Sequence, residues 1–263
     1  MAITAADVNK LRQITGAGMM DCKNALTEAN GDFDAAIDIL RKKGQKVAAK
    51  RADRDATEGL VIAKVTADGT RGVLVCTNCE TDFVAKNADF TAMAERIAGI
   101  ALEKNLDTID ALKAAAYDSN GLTVAEKLIE QTGVIGEKID ISACHALTAG
   151  FVYAYNHPGN KVASLVGLNK TGFETAAKDV AMQVAAMGPI ALDKASTPQS
   201  VIDKELEIGK ELAIQEGKPA DMAEKIAQGR LNKFFKESTL LAQEFIKDNK
   251  LSVEQYVKSA DKD

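Results

Sequence analysis

Apolar positions in the first fifty residues recur at helical spacing. Thr4-Ala5-Ala6-Asp7 has the S/T-x-x-acid form of a capping box, and Val8, Leu11 and Ile14 follow it three residues apart. The spacing predicts a helix that stops at Gly16-Ala17-Gly18, because glycine reaches positive φ without a Cβ clash. A second helix is predicted with Cys22, Ala25, Leu26 and Ala29 on one face, ending at Asn30-Gly31. A third carries Phe33, Ile37 and Leu40 and ends at Gly44. Residues 1–52 are therefore expected to form a compact three-helix module that ends in a basic linker.

The stretch from Arg41 to Arg54 holds Arg41, Lys42, Lys43, Lys46, Lys50, Arg51 and Arg54 against one acid, Asp53. It reads as a helix end followed by a solvated, flexible connector, since charge runs are commonly solvated faces. Such cations could touch RNA or an acidic partner, but no aromatic residue is interleaved for base stacking.

Beyond it the period changes from helical to two. Leu60-Val61-Ile62-Ala63-Lys64-Val65, the turn Ala67-Asp68-Gly69 and Val73-Leu74-Val75 predict a β-hairpin. A helix follows from about Ala88, with Phe90, Met93, Ala94, Ile97 and Ala101 on one side. About ninety residues later the order returns: Gly150 to Tyr155, the turn Asn156 to Asn160, Val162 to Val166, then a helix from Thr175 to Met187. Two α+β subdomains of common plan are expected, 56–140 and 141–197, joined by a helix near Thr123 to Gln131.

Pro198 and Pro219 each open a long charged helix, with Glu216-Gly217-Lys218 as the turn, which predicts a projecting antiparallel hairpin over 198–237. Its seam is read as Ile202, Leu206, Gly209 and Ala213 on one helix, facing Met222, Ile226 and Gly229 on the other. Residues 238–263 are expected to add a small helical module through Leu240 to Val257.

Composition narrows the function classes. The 263 residues are 46% apolar but only 5% aromatic, with no Trp, and the formal net charge is −5. That balance argues against whole-surface affinity for nucleic acid, so no direct nucleic-acid partner is expected. The opening Met1-Ala2-Ile3-Thr4-Ala5 carries no basic and apolar leader pattern, and no apolar run approaches about 18 residues. A cytoplasmic protein with no membrane association is the expectation. Four cysteines, Cys22, Cys76, Cys79 and Cys144, are too few for a disulfide scaffold. Cys76-Thr77-Asn78-Cys79 has CxxC spacing, so redox and zinc roles are weighed against packing. No second CxxC exists, and Cys76 closes a β-branched run rather than opening a helix, which favours packing.

Catalysis finds no foothold. The two histidines, His145 and His157, stand in no hydrolase or metalloprotease motif, and there is no Walker-type loop or complete GxGxxG. No catalytic residue, metal ligand or cofactor is expected, and the protein is read as a binding factor rather than an enzyme. The unusual local feature is Glu80-Thr81-Asp82-Phe83-Val84-Ala85-Lys86-Asn87, which sets a large aromatic beside an acid in a connection. Phe83 could fold back as a core plug, or it could be an exposed anchor for a partner pocket.

Two segments carry a family resemblance. Leu11 through Leu26 resembles the signature LRxxTGAGMMDCKxAL of elongation factor Ts, and Asn78 through Lys86 resembles its NCxTDFVxK. The resemblance extends from about Thr4 to Tyr256, with His157 standing where the family has a histidine after the Tyr-containing strand. One departure is the last strand of the TGFxR type, common in the family, where this chain reads Asp261-Lys262-Asp263. The fold that the resemblance implies is α+β: a three-helix module like ubiquitin-associated domains, a two-subdomain core and a helical hairpin. The function it implies is guanine-nucleotide exchange on elongation factor Tu. Thr81, Asp82, Phe83 and Val84 fall on the segment that dislocates the partner's Mg2+. Arg12, Met19 and Met20 would dock the three-helix module, and His157 would add a contact. The resemblance thus favours the anchor role for Phe83.

Overall fold

The computed structural model describes residues 3–119 and 121–261, with the backbone alone at 220 and 221. The Met1-Ala2 start and the Lys262-Asp263 end lie outside the described residues. The chain divides into two compact units. The first is Met1–Thr148 with Asn156–Leu165, and the second is Ala149–Tyr155 with Val166–Asp263.

The first unit opens with α1 (Ala5–Thr15), α2 (Met19–Glu28) and α3 (Phe33–Arg51). Thr4 and Asp7 cap each other's backbone N–H, at 3.2 and 2.9 Å, and Gly16 closes α1 at φ 70. Val8, Leu11, Cys22, Ala25, Leu26 and Ala36 fill the small core, covered by Phe33, Ile37 and Leu40. Where the sequence predicts that the third helix ends at Gly44, α3 continues to Arg51. The basic stretch is therefore helical through Arg51, not a flexible connector. The physical reason is a helix crossing. Gly44 is buried against α7 (Val124–Ile135), and a Cβ built on Gly133 would lie 2.4 Å from the Gly44 Cα. A glycine inside a helix costs roughly 1 kcal/mol relative to alanine. Here main-chain packing of one helix on the other outweighs that cost. Lys42, Lys46 and Lys50 are left exposed on the outer face.

A three-stranded antiparallel sheet follows, with β1 (Glu58–Val65), β2 (Arg71–Cys79) and β3 (Asp140–Thr148) in that spatial order. Ile62 pairs with Val75, and Val75 with Cys144. The helix α5 (Ala88–Glu103) buries Phe90, Met93, Ala94, Ile97, Ile100 and Ala101 in the core shared with Leu60, Ile62, Val73 and Val75. The short α6 (Ile109–Ala114), absent from the sequence reading, adds Leu112. The strand β3 moves the expected subdomain boundary, because 141–148 pairs with β2 instead of opening the next unit. Only Ile141 and Cys144 of this strand are buried, too weak an alternation to announce it.

The outer edge of β1 is covered by residues of the same unit. Asn156 accepts the Ala63 N–H at 2.8 Å and donates its amide to the Ala63 carbonyl at 2.9 Å. The Asn160 carbonyl accepts the Val61 N–H at 2.7 Å.

The strands β4 (Phe151–Asn156) and β5 (Ala163–Leu168) form a hairpin whose tip, Asn156–Leu165, is counted with the first unit and whose remainder is counted with the second, followed by α8 (Glu174–Met187). This repeats the order of β1, β2 and α5. The helices α9 (Gln199–Gln215) and α10 (Ala220–Ser238) then pack along each other, with Pro198 and Pro219 as their N-caps. Their seam is displaced on α10 from the expected one, by one residue at Ala223 and Ala227 and by two at Leu231. Gly209 and Ala213 face Ala223, Ala227 and Leu231, while Met222 is 51% exposed and Gly229 borders open space. A Cβ on Gly209 would lie 3.1 Å from Ala227, so the small residues set the crossing and Met222 turns outward.

The tail is likewise not one helical element. It forms a ribbon of β6 (Glu244–Phe245) and β7 (Asp248–Ser252), then α11 (Val253–Ala260). Two polar side chains of α8 hold it. The Gln183 amide donates to Gln243 and to the Glu244 carbonyl at 3.1 Å, and its oxygen accepts the Ile246 N–H at 2.8 Å. Asp179 accepts from Lys247 Nζ at 2.5 Å and from the Tyr256 hydroxyl at 2.7 Å. Burial opposes the charge on Asp179, but those two bonds hold its carboxyl below the usual range. Burial, then the bond to Asp179, pushes the Tyr256 phenol up to about 12.

Two outcomes are expected. Gly59 sits at φ 143, and a Cβ there would lie 2.2 Å from the Thr77 carbonyl oxygen, so Gly59→Ala should destabilise the first unit by about 1–3 kcal/mol in chemical unfolding. An unchanged midpoint would contradict the geometry. In the second unit, a spectrophotometric titration should find one of the four tyrosines ionising near 12, and Tyr256→Phe should remove that step. Because the folded value lies above that of a free phenol, the stabilisation is complete below about pH 10 and lost as pH rises towards about 12.

Candidate partner-binding site

The segment after β2 is built from the backbone outward. Thr81 is the N-cap of α4 (Asp82–Ala85), a single helical turn, and its Oγ1 accepts the Val84 N–H at 3.5 Å. A lone turn has no helical stability of its own, so its position depends on what holds it. Ala85 is buried, and Val84 packs partly against the first-unit core. Asn87 caps the following helix by accepting the Asp89 N–H at 2.7 Å. With Val84 and Ala85 facing inward, Phe83 faces out and is 83% exposed. The core-plug alternative therefore fails, for the remaining inward positions of the turn are filled by Val84 and Ala85.

Charged groups clamp both sides of this turn. Arg51, in the last turn of α3, donates to both oxygens of Glu80 at 3.0 and 2.9 Å, and the Lys138 N–H donates to Glu80 at 2.6 Å. That backbone bond is the main reason the Glu80 carboxyl lies below its usual range, with Arg51 adding to it. Glu137 accepts the Thr81 N–H at 3.0 Å and its hydroxyl at 2.7 Å. Asp82 receives Lys86 Nζ at 2.6 Å, and this bond lowers its carboxyl pKa while raising that of Lys86. Lys161, paired with Glu58, adds a smaller electrostatic pull on Asp82.

The other candidates are also on the surface of the first unit. Arg12 is exposed on α1, and Met19 and Met20 open α2 at 41% and 65% exposure. His157 is exposed at the tip that carries Lys161, and its N–H donates to the Val162 carbonyl at 2.9 Å. Sequence reasoning missed Ile14, which is 57% exposed although its helical spacing matches that of Val8 and Leu11. Ile14, Thr15 and Gly16 line a cleft with Val84, Asn87 and Phe90, which sets the end of α1 beside the turn. Glu80, Glu137, Lys138 and Arg51 were missed as well. No periodic signal marks a carboxylate whose partner lies dozens of residues away.

The CxxC pair lies on β2. Cys79 is buried, and burial pushes its thiol up to about 11. It donates to the Thr81 carbonyl at 3.2 Å, while Cys76 Sγ donates to Asn78. Among the described residues no cluster of three His, Cys, Asp or Glu is placed to hold a metal ion, and no helix is long and apolar enough to cross a membrane.

Comparison with known proteins sets this chain among bacterial translation elongation factors, by similarity over nearly its whole length. The profile described as Elongation factor TS matches residues 80–263. Elongation factor Ts of Christiangramia forsetii is 59% identical over 261 residues, covering 98% of this chain and 94% of that protein. Elongation factor Ts of Flavobacterium psychrophilum is 55% identical with the same coverage, and that of Porphyromonas gingivalis is 45% identical over 262 residues, covering 100% and 94%. The chain belongs to the elongation factor Ts family.

The thiols supply a test. A thiol raised to about 11 is almost wholly protonated at neutral pH, and the thiolate is the reactive form. In the native protein a thiol reagent should label Cys76 alone, the half-buried one, and all four cysteines only after unfolding. Rapid native labelling of Cys79 would refute its packing role.

Proposed function

We propose that this protein is a guanine-nucleotide exchange factor that acts in the cytoplasm on elongation factor Tu and makes or breaks no covalent bond itself. It binds the GDP form of its partner, weakens the hold on Mg2+ and nucleotide, and leaves when GTP returns. Thermodynamic linkage requires the factor to bind the nucleotide-free state more tightly by the same ratio by which it lowers nucleotide affinity. A ratio of about 10^4 corresponds to about 5.5 kcal/mol of differential binding.

One observation carries the reading: Phe83, 83% exposed, stands on a turn tied at Glu80 and Thr81 to Arg51, Glu137 and Lys138. A large aromatic held out in water by a fixed backbone has the form of an interface anchor, the residue type that dominates binding when it fills a pocket. In this reading Phe83 enters an apolar slot of the partner's nucleotide-binding domain. Asp82, paired with Lys86 at 2.6 Å, disturbs the polar network around the partner's Mg2+, while Thr81 and Val84 set the turn. Arg12, Met19 and Met20 dock the three-helix module, thioether flexibility suiting Met to such a surface. His157 contacts the partner from the hairpin tip.

The decisive experiment pairs thermal unfolding with stopped-flow release of labelled GDP on one preparation. Truncating a buried Phe costs about 3–5 kcal/mol. Phe83→Ala should instead leave the melting temperature nearly unchanged and remove most of the acceleration of GDP release, with part of the affinity retained through the other contacts. Asp82→Ala should lose less. Full exchange activity in the Phe83→Ala protein would sink the anchor mechanism.

A further inference from the structure

Resting on that exchange reading, we propose that Glu137 is a positioning residue for the reaction: it holds the Thr81–Phe83 turn in the orientation that presents Phe83. Glu137 stands one residue past Gly136, whose φ of 82 ends α7. Both its carboxylate oxygens are occupied by Thr81, Oε2 by the backbone N–H at 3.0 Å and Oε1 by the hydroxyl at 2.7 Å. Thr81 in turn caps α4, a turn too short to persist alone. Bonds to a carboxylate are roughly twice as strong as neutral ones, so Glu137 holds the turn at Thr81 while Glu80 is held at the residue before it.

The neighbouring residue extends the joint. The Lys138 N–H donates to Glu80 at 2.6 Å, while its Nζ donates to the carbonyls of Ala52 and Arg54 at 2.8 and 3.0 Å, just past the end of α3. Glu137 and Lys138 thus hold the anchor turn and the C-terminal end of the helix whose N-terminal half belongs to the three-helix module. An anchor fixed before encounter avoids the ordering cost that a mobile one incurs on binding.

The test uses the full chain. GDP release from elongation factor Tu is measured against factor concentration for the unaltered protein, Glu137→Ala and Glu137→Gln. In parallel, Phe83→Trp gives a single fluorescent reporter, since the chain has no Trp, and its anisotropy is read with and without Glu137→Ala. Glu137→Ala should lower the plateau rate about tenfold, equivalent to about 1.4 kcal/mol of barrier, with little change in the half-saturating concentration. The anisotropy of the indole reporter should fall. The glutamine amide can still accept the Thr81 N–H and donate to its hydroxyl, so Glu137→Gln should recover most of the plateau. A protein that merely folds less would do the reverse, keeping the plateau and raising the concentration needed, and that result overturns the proposal. So does unchanged anisotropy. If Glu137→Ala does not fold, Thr81→Val removes the hydroxyl's bond to Glu137 together with its cap on the Val84 N–H, leaves the bond from the Thr81 N–H, and carries the same expectations. If the unaltered protein fails to accelerate GDP release, the exchange reading falls, and the anisotropy still decides whether Glu137 holds the turn.

Discussion

The Glu80 carboxylate accepts three hydrogen bonds, two from Nη1 of the Arg51 guanidinium and one from the Lys138 backbone N–H. Those donors come from α3 and from the turn between α7 and β3, so one side chain at the end of β2 ties together segments far apart in sequence. Removing a partner from such a cluster leaves a partly buried charge, which costs more than the net worth of the bond. The exposed Phe83 turn is built out from this point. The turn that carries Phe83 begins at the next residue, and the helix that continues from the three-helix module ends at it.

Much of the fold was legible because it is written in short-range signals. Thr4 and Thr123 begin capping boxes, and both cap the helices that follow. Asp68-Gly69 joins β1 and β2, with Gly69 at φ 69. The apolar face of α5 is buried as its spacing predicts. What escaped was decided by distant partners. Gly44 looks like a stop until Gly133 lies against it. The β3 strand carries too few β-branched residues to stand out, and β2 recruits it. The seam of α9 and α10 is set by the fit of Gly209 to Ala227, which hydrophobicity alone cannot rank above Met222.

The site divides in the same way. Phe83 stood out because a large aromatic beside an acid in a connection demands an explanation, and two physical readings of it were open from the residues. Its exposure separates them. The supporting carboxylates had no such local oddity, since Glu80 and Glu137 are ordinary surface residues by composition. Only the geometry, with partners 29 and 56 residues away, marks them out.

The crossing of α3 on α7 has a consequence for how this protein can change. Where two helices meet through side chains, a substitution of one methylene can be absorbed by a new rotamer, and the helices drift by a fraction of an ångström. At Gly44 and Gly133 main chain meets main chain, and there is no rotamer to absorb anything. The crossing point therefore acts as a fulcrum fixed by van der Waals contact of main-chain atoms, about which the surrounding side chains can vary while the module keeps its place within the first unit.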